Sequence, residues 1–591
     1  MADKKLRYRS QYWFNNPDDP EMTALYCAWQ MNDGTTREEL QSGKPIIGIA
    51  QSGSDITPCN KIHRQTVEMA KKGVIEAGGI PFVFPSFPLQ ETTARPTAHL
   101  YRNLAAMTLI EILYAYPIDG VILTTGCDKT TPSALMAAAT VNLPAIVLSG
   151  GPMLNGHFEG KLSGSGMAVW EARRRLKTGE MNEDQFFDAV ASSAPSLGHC
   201  NTMGTASTMN SMAEALGMSL TGSAIIPAPY GARQSNAYWT GRRAVEITEQ
   251  NIRPRDILTL EAFENAIVTL AAIGGSTNAH QHLTAIAKHA EVELPPSVWT
   301  DKGYHVPLLV NLQPAGAYLG EDFYQAGGVP AVMHELLGAG LLNADTMTIS
   351  GKRVKEAVAE TTITNKEVIR PFNDPLEENA GFAVLTSNFF EFGLMKVSVI
   401  SPQFRKDYLG RPGHENVFEA RVTVFDGSED YHKRINDPAL KIDHDSILVM
   451  RGAGPLGWPG SAEVVNMQPP DALLAKGIRM LPTIGDGRQS GTSDSPSILH
   501  VAPEAALGEG LALLRDGDIL RVDLNKLRCD VLLSDAELAE RRKTSKPSRP
   551  PYHTPWQEIH GKSVGPLQFG ACSDFMLNYH DVGDIIPRHN H

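Results

Sequence analysis

Between residues 44 and 150 short apolar runs alternate with longer stretches of helical periodicity. The runs are KPIIGIAQS (44–52), IPFVFPS (80–86), GVILTTG (120–126) and PAIVLSG (144–150), and helix-like patterns occupy 61–77, 97–115 and 131–141. Continuous apolar runs of strand length, separated by helices, predict parallel strands covered on both faces. An α/β fold is therefore expected here. Ligands of such sheets bind beyond the carboxyl ends of the strands. Cys59, Glu91, Cys127 with Asp128 and Lys129, and the Gly150-Gly151 turn each follow a strand candidate.

From about residue 380 the pattern shifts to GFAVLTSNF, SVISPQF, EARVTVFDG, DSILVMRGAG and GDILRVDL, short β-rich runs punctuated by turns. They predict a second, mostly β domain, a barrel or a sandwich. The expected division is an N-terminal α/β domain over 1–380, a C-terminal barrel-like domain over 381–535, and an arm over 536–591. The polar, Pro-rich start of that arm, ERRKTSKPSRPPYHTPW (540–556), is better suited to lying on a neighbour than to building a core.

Charge removes several function classes. With 53 basic and 66 acidic residues the net charge is −13, and no basic block occurs. Nucleic acid and anionic membrane are poor partners for such a surface. No apolar run is long enough to span a bilayer and the N-terminus lacks a signal-peptide core, so a cytoplasmic protein is expected. Six cysteines in 591 residues make no disulfide framework.

Three of the cysteines lie in polar turns: DITPCNK (Cys59), TTGCDKT (Cys127) and LGHCNTMGTAS (Cys200). A free cysteine is most often a small buried hydrophobe, which suits Cys27, Cys529 and Cys572. The other three stand among turn and helix-start residues, where backbone N–H groups favour thiolate. Their wide spacing excludes a zinc knuckle or a ferredoxin run. Thiolates from three distant loops would instead hold an iron–sulfur cluster with one iron open to substrate. Asp128 and Lys129 beside Cys127 add hard chemistry, since carboxylates prefer Mg²⁺ to iron. Read as a plain helix start, CDKTTPSALM leaves Lys129 as a cation at the wrong end of the helix dipole. The Gly-rich stretches SGGPM, IGGSTN and GAGPLGWPGSAE are weak signals, and no nucleotide-binding glycine motif is present. His280 and His282 fit a helix with one of them facing solvent. Ser490, in IGDGRQSGTSDSP, does not meet the nucleophile-elbow pattern, because Arg488 and Thr492 stand where glycines are required.

Together SDITPCN, GCDKTTPS, SGGPM, CNTMGTASTMNSMAEALGM, AAIGGSTNAHQHLTAIA, GPLGWPGSAEVVNM and DGRQSGT resemble, in order and across nearly the whole chain, the family of dihydroxy-acid, phosphogluconate and sugar-acid dehydratases. Thr-Thr-Pro-Ser after CDK looks like the pentonate branch. The resemblance implies that Cys59, Cys127 and Cys200 hold a [2Fe–2S] cluster. It implies that Glu91, Asp128, a carboxylated Lys129 and Glu463 hold Mg²⁺, and that Ser490 is the catalytic base. It also implies an α/β domain, a barrel-like domain, a site between them, and a homodimer or homotetramer.

The reaction so implied removes water from a 2,3-dihydroxy acid and yields the 2-keto-3-deoxy acid. The expected substrate is an aldonate, D-xylonate before L-arabinonate, D-gluconate or a branched dihydroxy acid. An iron–sulfur redox sensor, the alternative of another class, would call for a fourth cluster cysteine and no Mg²⁺ carboxylates. A metal-free sugar-binding module would be colourless.

Overall fold

The computed structural model describes residues 6–491, 493 and 496–589. Its N-terminal half is built on four parallel strands, β1 (Ile46–Gln51), β2 (Ile80–Pro85), β3 (Gly120–Thr125) and β4 (Ala145–Ser149), in the order β2-β1-β3-β4. Register pairs Ile46 with Ile80, Ile47 with Gly120 and Val121 with Ala145. Successive residues of β1, β3 and β4 are buried whichever way they point, so both faces of the sheet are covered. The chain leaves β1 toward β2 on one side and returns to β3 on the other. The loops after β1 and β3 thus flank the point where strand order reverses, the ordinary place for a ligand crevice.

Helices follow where the apolar periodicity put them. His63–Glu76 lies against Gly231–Gln250, with backbones so close that a Cβ on Gly73 would fall 2.0 Å from Tyr238 O and one on Gly241 2.1 Å from Ala70 O. Thr130–Val141 and Thr205–Ala215 are buried at every position; the first is small and largely apolar all round, while the second buries polar side chains with partners, Asn210 donating to Gly126 O and Glu214 accepting from Gly222 and Ala224 N–H. Asn278–His289 packs with them, which corrects the expectation that one of its two early histidines faces solvent. Both are fully buried: His280 stacks on Phe392 at 4.9 Å and meets Trp299 at 4.8 Å, while His282 accepts from Arg102. A short hairpin, β5 (Gly156–Phe158) and β6 (Lys161–Ser163), follows β4.

The C-terminal half is one eight-stranded mixed sheet: β7 (Phe382–Leu385), β8 (Phe392–Lys396), β9 (Val417–Asp426), β10 (Ser446–Arg451), β11 (Thr483–Gly485), β12 (Ser497–Ala502), β13 (Ile519–Asp523) and β14 (Arg528–Val531). The order is β14-β13-β9-β10-β11-β12-β8-β7, with β9 to β12 mutually parallel and the outer pairs antiparallel. The two ends meet. Thr386 N–H donates to Leu527 O at 3.1 Å, and Cys529 N–H donates to Thr386 O at 3.0 Å, so the sheet nearly closes on itself. Of the two expected β architectures it is the barrel-like one, which leaves little unpaired edge.

The segment after β14 lies on its own chain. Ser534 and Glu537 form a capping box for helix Asp535–Thr544. Farther on, Cys572, Met576 and Val582 are buried in the same apolar cluster as Ile47 and Leu123. Cys27 and Cys529 are also buried among apolar side chains. Among the described residues no helix is long and apolar enough to cross a membrane.

Candidate functional site

The expected site residues converge from both halves of the molecule. Cys59 stands in a turn after β1, Glu91 in the loop after β2, and Cys127, Asp128 and Lys129 between β3 and helix Thr130–Val141. Cys200 precedes helix Thr205–Ala215. Glu463 and Ser490 follow β10 and β11, so they too stand beyond the carboxyl ends of parallel strands. All but Lys129 line one cavity of about 660 Å³. Lys129 is fully buried immediately behind it, with its Nζ 2.6 Å from Asp128 Oδ2 and 2.9 Å from Glu91 Oε2.

Local chemistry fixes the turns that carry these side chains. Cys127 N–H donates to Asn60 Oδ1 at 2.8 Å and Cys59 N–H to Gln90 Oε1 at 2.9 Å, tying the two cysteine loops to each other and to the loop of Glu91. Gly126 is required at the junction, because a Cβ there would fall 2.4 Å from Asn60 Oδ1. Asn210 Nδ2, from the helix after Cys200, donates to Gly126 O at 3.0 Å. Gly491 sits against Thr205 N, where a Cβ would fall at 2.5 Å, so the loop of Ser490 lies on the start of the same helix.

Two donor sets of different chemistry adjoin, three carboxylates and three thiols. A carboxylate oxygen from each of Glu91, Asp128 and Glu463 lies within 4.8 Å of the others. Lys129 and Arg488 supply the cations among them: Arg488 Nη1 is 2.9 Å from Glu463 Oε1, and Arg488 Nη2 is 3.5 Å from Glu91 Oε2. Burial pushes the Glu91 carboxyl up, but Lys129 and Arg488 outweigh it and hold the group at about 2. Glu463 is raised to about 7 by burial and by the charge of Glu91, against the pull of Arg488. Burial and Arg488 depress Lys129, yet Asp128, Glu91 and Glu463 leave it raised overall.

Cys127 and Cys200 behave differently from the turn-based expectation of stabilised thiolate. Cys127 is raised well above the ordinary thiol by its hydrogen bond with Cys59, by burial and by Asp128. Cys200 is pushed up to about 12 by burial and the neighbouring Cys59. Cys127 Sγ stands 3.3 Å from Asp128 Oδ1, so a thiolate there would meet a neighbouring carboxylate, a repulsion that a bound cationic centre would relieve.

The donor sets fit the two implied groups. Three converging carboxylates are hard oxygen ligands of the Mg²⁺ type, and an ammonium already stands among them. Three cysteines facing one cavity are soft ligands of the iron–sulfur type.

Sequence reasoning did not single out the supporting residues Arg488, Asn278 and Thr97. Thr97 Oγ1 donates to Glu91 Oε1 at 2.6 Å, and Asn278 Nδ2 donates to Glu463 Oε1 at 2.7 Å and Gln489 O at 3.2 Å. The one available signal was an arginine inside a Gly-rich loop, which by itself is ordinary.

Residues 44–357 match the family model Dihydroxy-acid/6-phosphogluconate dehydratase N-terminal, and 367–571 match its C-terminal counterpart. The chain is 58% identical over 585 residues to D-xylonate dehydratase of Caulobacter vibrioides, covering 99% of this chain and 98% of that protein. It is 43% identical to L-arabinonate dehydratase of Rhizobium leguminosarum bv. trifolii, covering 97% of each. It is 38% identical to dihydroxy-acid dehydratase of Caldanaerobacter subterraneus, covering 90% of this chain and 93% of that one.

Proposed function

This chain belongs to the dihydroxy-acid/6-phosphogluconate dehydratase family, a family of hydro-lyases, and from that premise we propose that it dehydrates a sugar acid, D-xylonate, to the 2-keto-3-deoxy acid. The observation that carries the proposal is the meeting of Cys59, Cys127 and Cys200 with Glu91, Asp128 and Glu463 around one cavity that Ser490 also lines. A redox sensor would leave the three carboxylates without a task.

Cys59, Cys127 and Cys200 would hold a [2Fe–2S] cluster, and Glu91, Asp128 and Glu463 would hold Mg²⁺. Lys129 would join them once carboxylated, which exchanges a cation for an anionic oxygen ligand. When bound, the two groups supply positive charge that acidifies C2–H, lowers the pKa of a nearby hydroxyl and favours departure of the C3 hydroxyl. Ser490 takes the C2 proton, the C3–O bond breaks as the C2–C3 double bond forms, and the departing hydroxyl leaves as water after protonation. The resulting enol tautomerises to the ketone. Arg488 and Asn278 hold Glu463 in place throughout, while Thr97 does the same for Glu91. We propose a homodimer or homotetramer on family resemblance, to be read by sedimentation.

The test is chemical analysis of anaerobically purified protein. Two irons and two sulfides per chain are expected, with activity lost on chelation of Mg²⁺ and restored by adding it. A colourless, chelator-insensitive enzyme would contradict the proposal.

A further inference from the structure

We propose that residues 555–573 act as a positioning brace for the Mg²⁺ carboxylates, working through Arg102 and the Leu100 backbone; this rests on the metal reading above. The link is the short segment 97–103, which touches the carboxylate loops on one side and the C-terminal segment on the other.

On the site side, Thr97 Oγ1 donates to Glu91 Oε1 at 2.6 Å and receives Arg488 Nη2 at 3.2 Å. Gly460 O accepts from His99 Nδ1 at 2.6 Å, and Gly460 is pressed so closely on Leu100 that a Cβ would fall 2.3 Å from Leu100 Cα. Glu463 is three residues farther along that turn. Segment 97–103 therefore sets Glu91 and Glu463 relative to each other.

On the opposite side, Trp556 Nε1 donates to Leu100 O at 2.8 Å. Arg102 Nη2 donates to Gly570 O at 2.6 Å and Ala571 O at 2.8 Å, and Asn103 Nδ2 donates to Ala571 O at 2.9 Å. Arg102 Nη1 also reaches His282 Nδ1 at 3.2 Å, on the helix whose first residue, Asn278, holds Glu463. Arg102 is fully buried, and among the described residues no carboxylate forms an ion pair with it. A buried cation held by carbonyls is a costly way to gain stability alone, and an apolar side chain would pack at lower cost. Its planar fork instead ties two carbonyls and an imidazole to one guanidinium. Arg102 and Trp556 make no hydrogen bond to the metal carboxylates and are positioning residues.

The experiment compares native holoenzyme with Trp556→Phe, which keeps ring packing and removes the N–H, and with Arg102→Met and Arg102→Lys. After chelation, Mg²⁺ binding is measured by isothermal titration, with thermal midpoint and visible cluster absorbance recorded in parallel. Losing support behind metal ligands is expected to weaken Mg²⁺ binding about tenfold or more. Cluster absorbance should be retained, and Arg102→Lys should fall between native and Arg102→Met. Folded variants that bind Mg²⁺ as tightly as native protein overturn the brace. Should Arg102→Met fail to fold, Trp556→Phe decides alone. Glu91→Gln separates the two readings: if native protein binds no Mg²⁺, or binds it equally well without Glu91, the metal assignment falls and the brace with it.

Discussion

At the scale of single residues the site works by placing groups that would each be unfavourable alone. Lys129 is fully buried, Glu91 and Glu463 are half-buried carboxyls facing one another, and Cys127 is raised by its contact with Cys59 and Asp128. Ser490 is the residue whose removal tests the chemistry most narrowly. Ser490→Ala should lower kcat by a factor of about 10² to 10⁴, the usual worth of a positioned base, while the cluster's visible absorbance stays intact. Near-native turnover would remove Ser490 from the proton transfer. Cys127, Asp128 and Lys129 drew attention in the sequence because ligand types of opposite hardness stand side by side in one turn, and Cys59 and Cys200 because they lie in polar turns, whereas Glu463 and Ser490 were implied as site residues only by the family resemblance. Arg488 was not legible, since its role comes from being aimed at Glu463 in its own half and at Glu91 in the other, and nothing local marks that direction.

Among the secondary-structure elements, the parallel strands were legible because burial on both faces writes itself as continuous apolar sequence, as in β3 and β4. The barrel-like C-terminal half was expected through the family resemblance, while the strand pattern alone left a sandwich equally open, because closure depends on Thr386 meeting Leu527 and Cys529, residues far apart in the chain. The burial of both His280 and His282 was missed for the same reason: the partners Phe392, Trp299 and Arg102 come from distant elements. Helix contact is equally specific. Gly73 and Gly241 let helices His63–Glu76 and Gly231–Gln250 touch backbone to backbone. Gly241→Ala should therefore destabilise the fold by about 1–3 kcal/mol through overpacking, despite alanine's better helix propensity. A denaturant midpoint equal to or above native would show that the helices can separate without cost.

Across the whole molecule, burial of titratable groups sets the pH response. His63, His99, His199, His280, His282, His289, His500 and His560 are all lowered, first of all by burial, His63 to about 4 and His280 to about 3. The unfolded chain protonates such imidazoles near 6.5 while the fold resists. Their contribution is thus complete above about pH 6.5 and lost as pH falls. Asp119, Glu214 and Glu504 are raised by burial to about 6, 7 and 8. Their contribution is complete below ordinary carboxylate values and lost as pH rises through those raised ones. Eight imidazoles outweigh three carboxyls on the acid side; above about pH 6.5 the remaining carboxyl loss ends by about 8 and is opposed by Lys396, which burial lowers to about 7 and whose penalty is relieved as pH rises. Thermal midpoints should fall as pH is lowered from about 6.5 to about 5. A midpoint at about pH 5 as high as at about pH 6.5 would refute this.

Function belongs to the same whole-molecule scale, because the cavity takes its cysteines from one half and Glu463 and Ser490 from the other. The most direct measurement is kcat/KM for 2-keto acid formation by the anaerobically purified enzyme with Mg²⁺, across D-xylonate, L-arabinonate, D-gluconate and dihydroxyisovalerate. The account predicts turnover of the aldonates with D-xylonate foremost. Activity on dihydroxyisovalerate alone, or on none of the four, would contradict it.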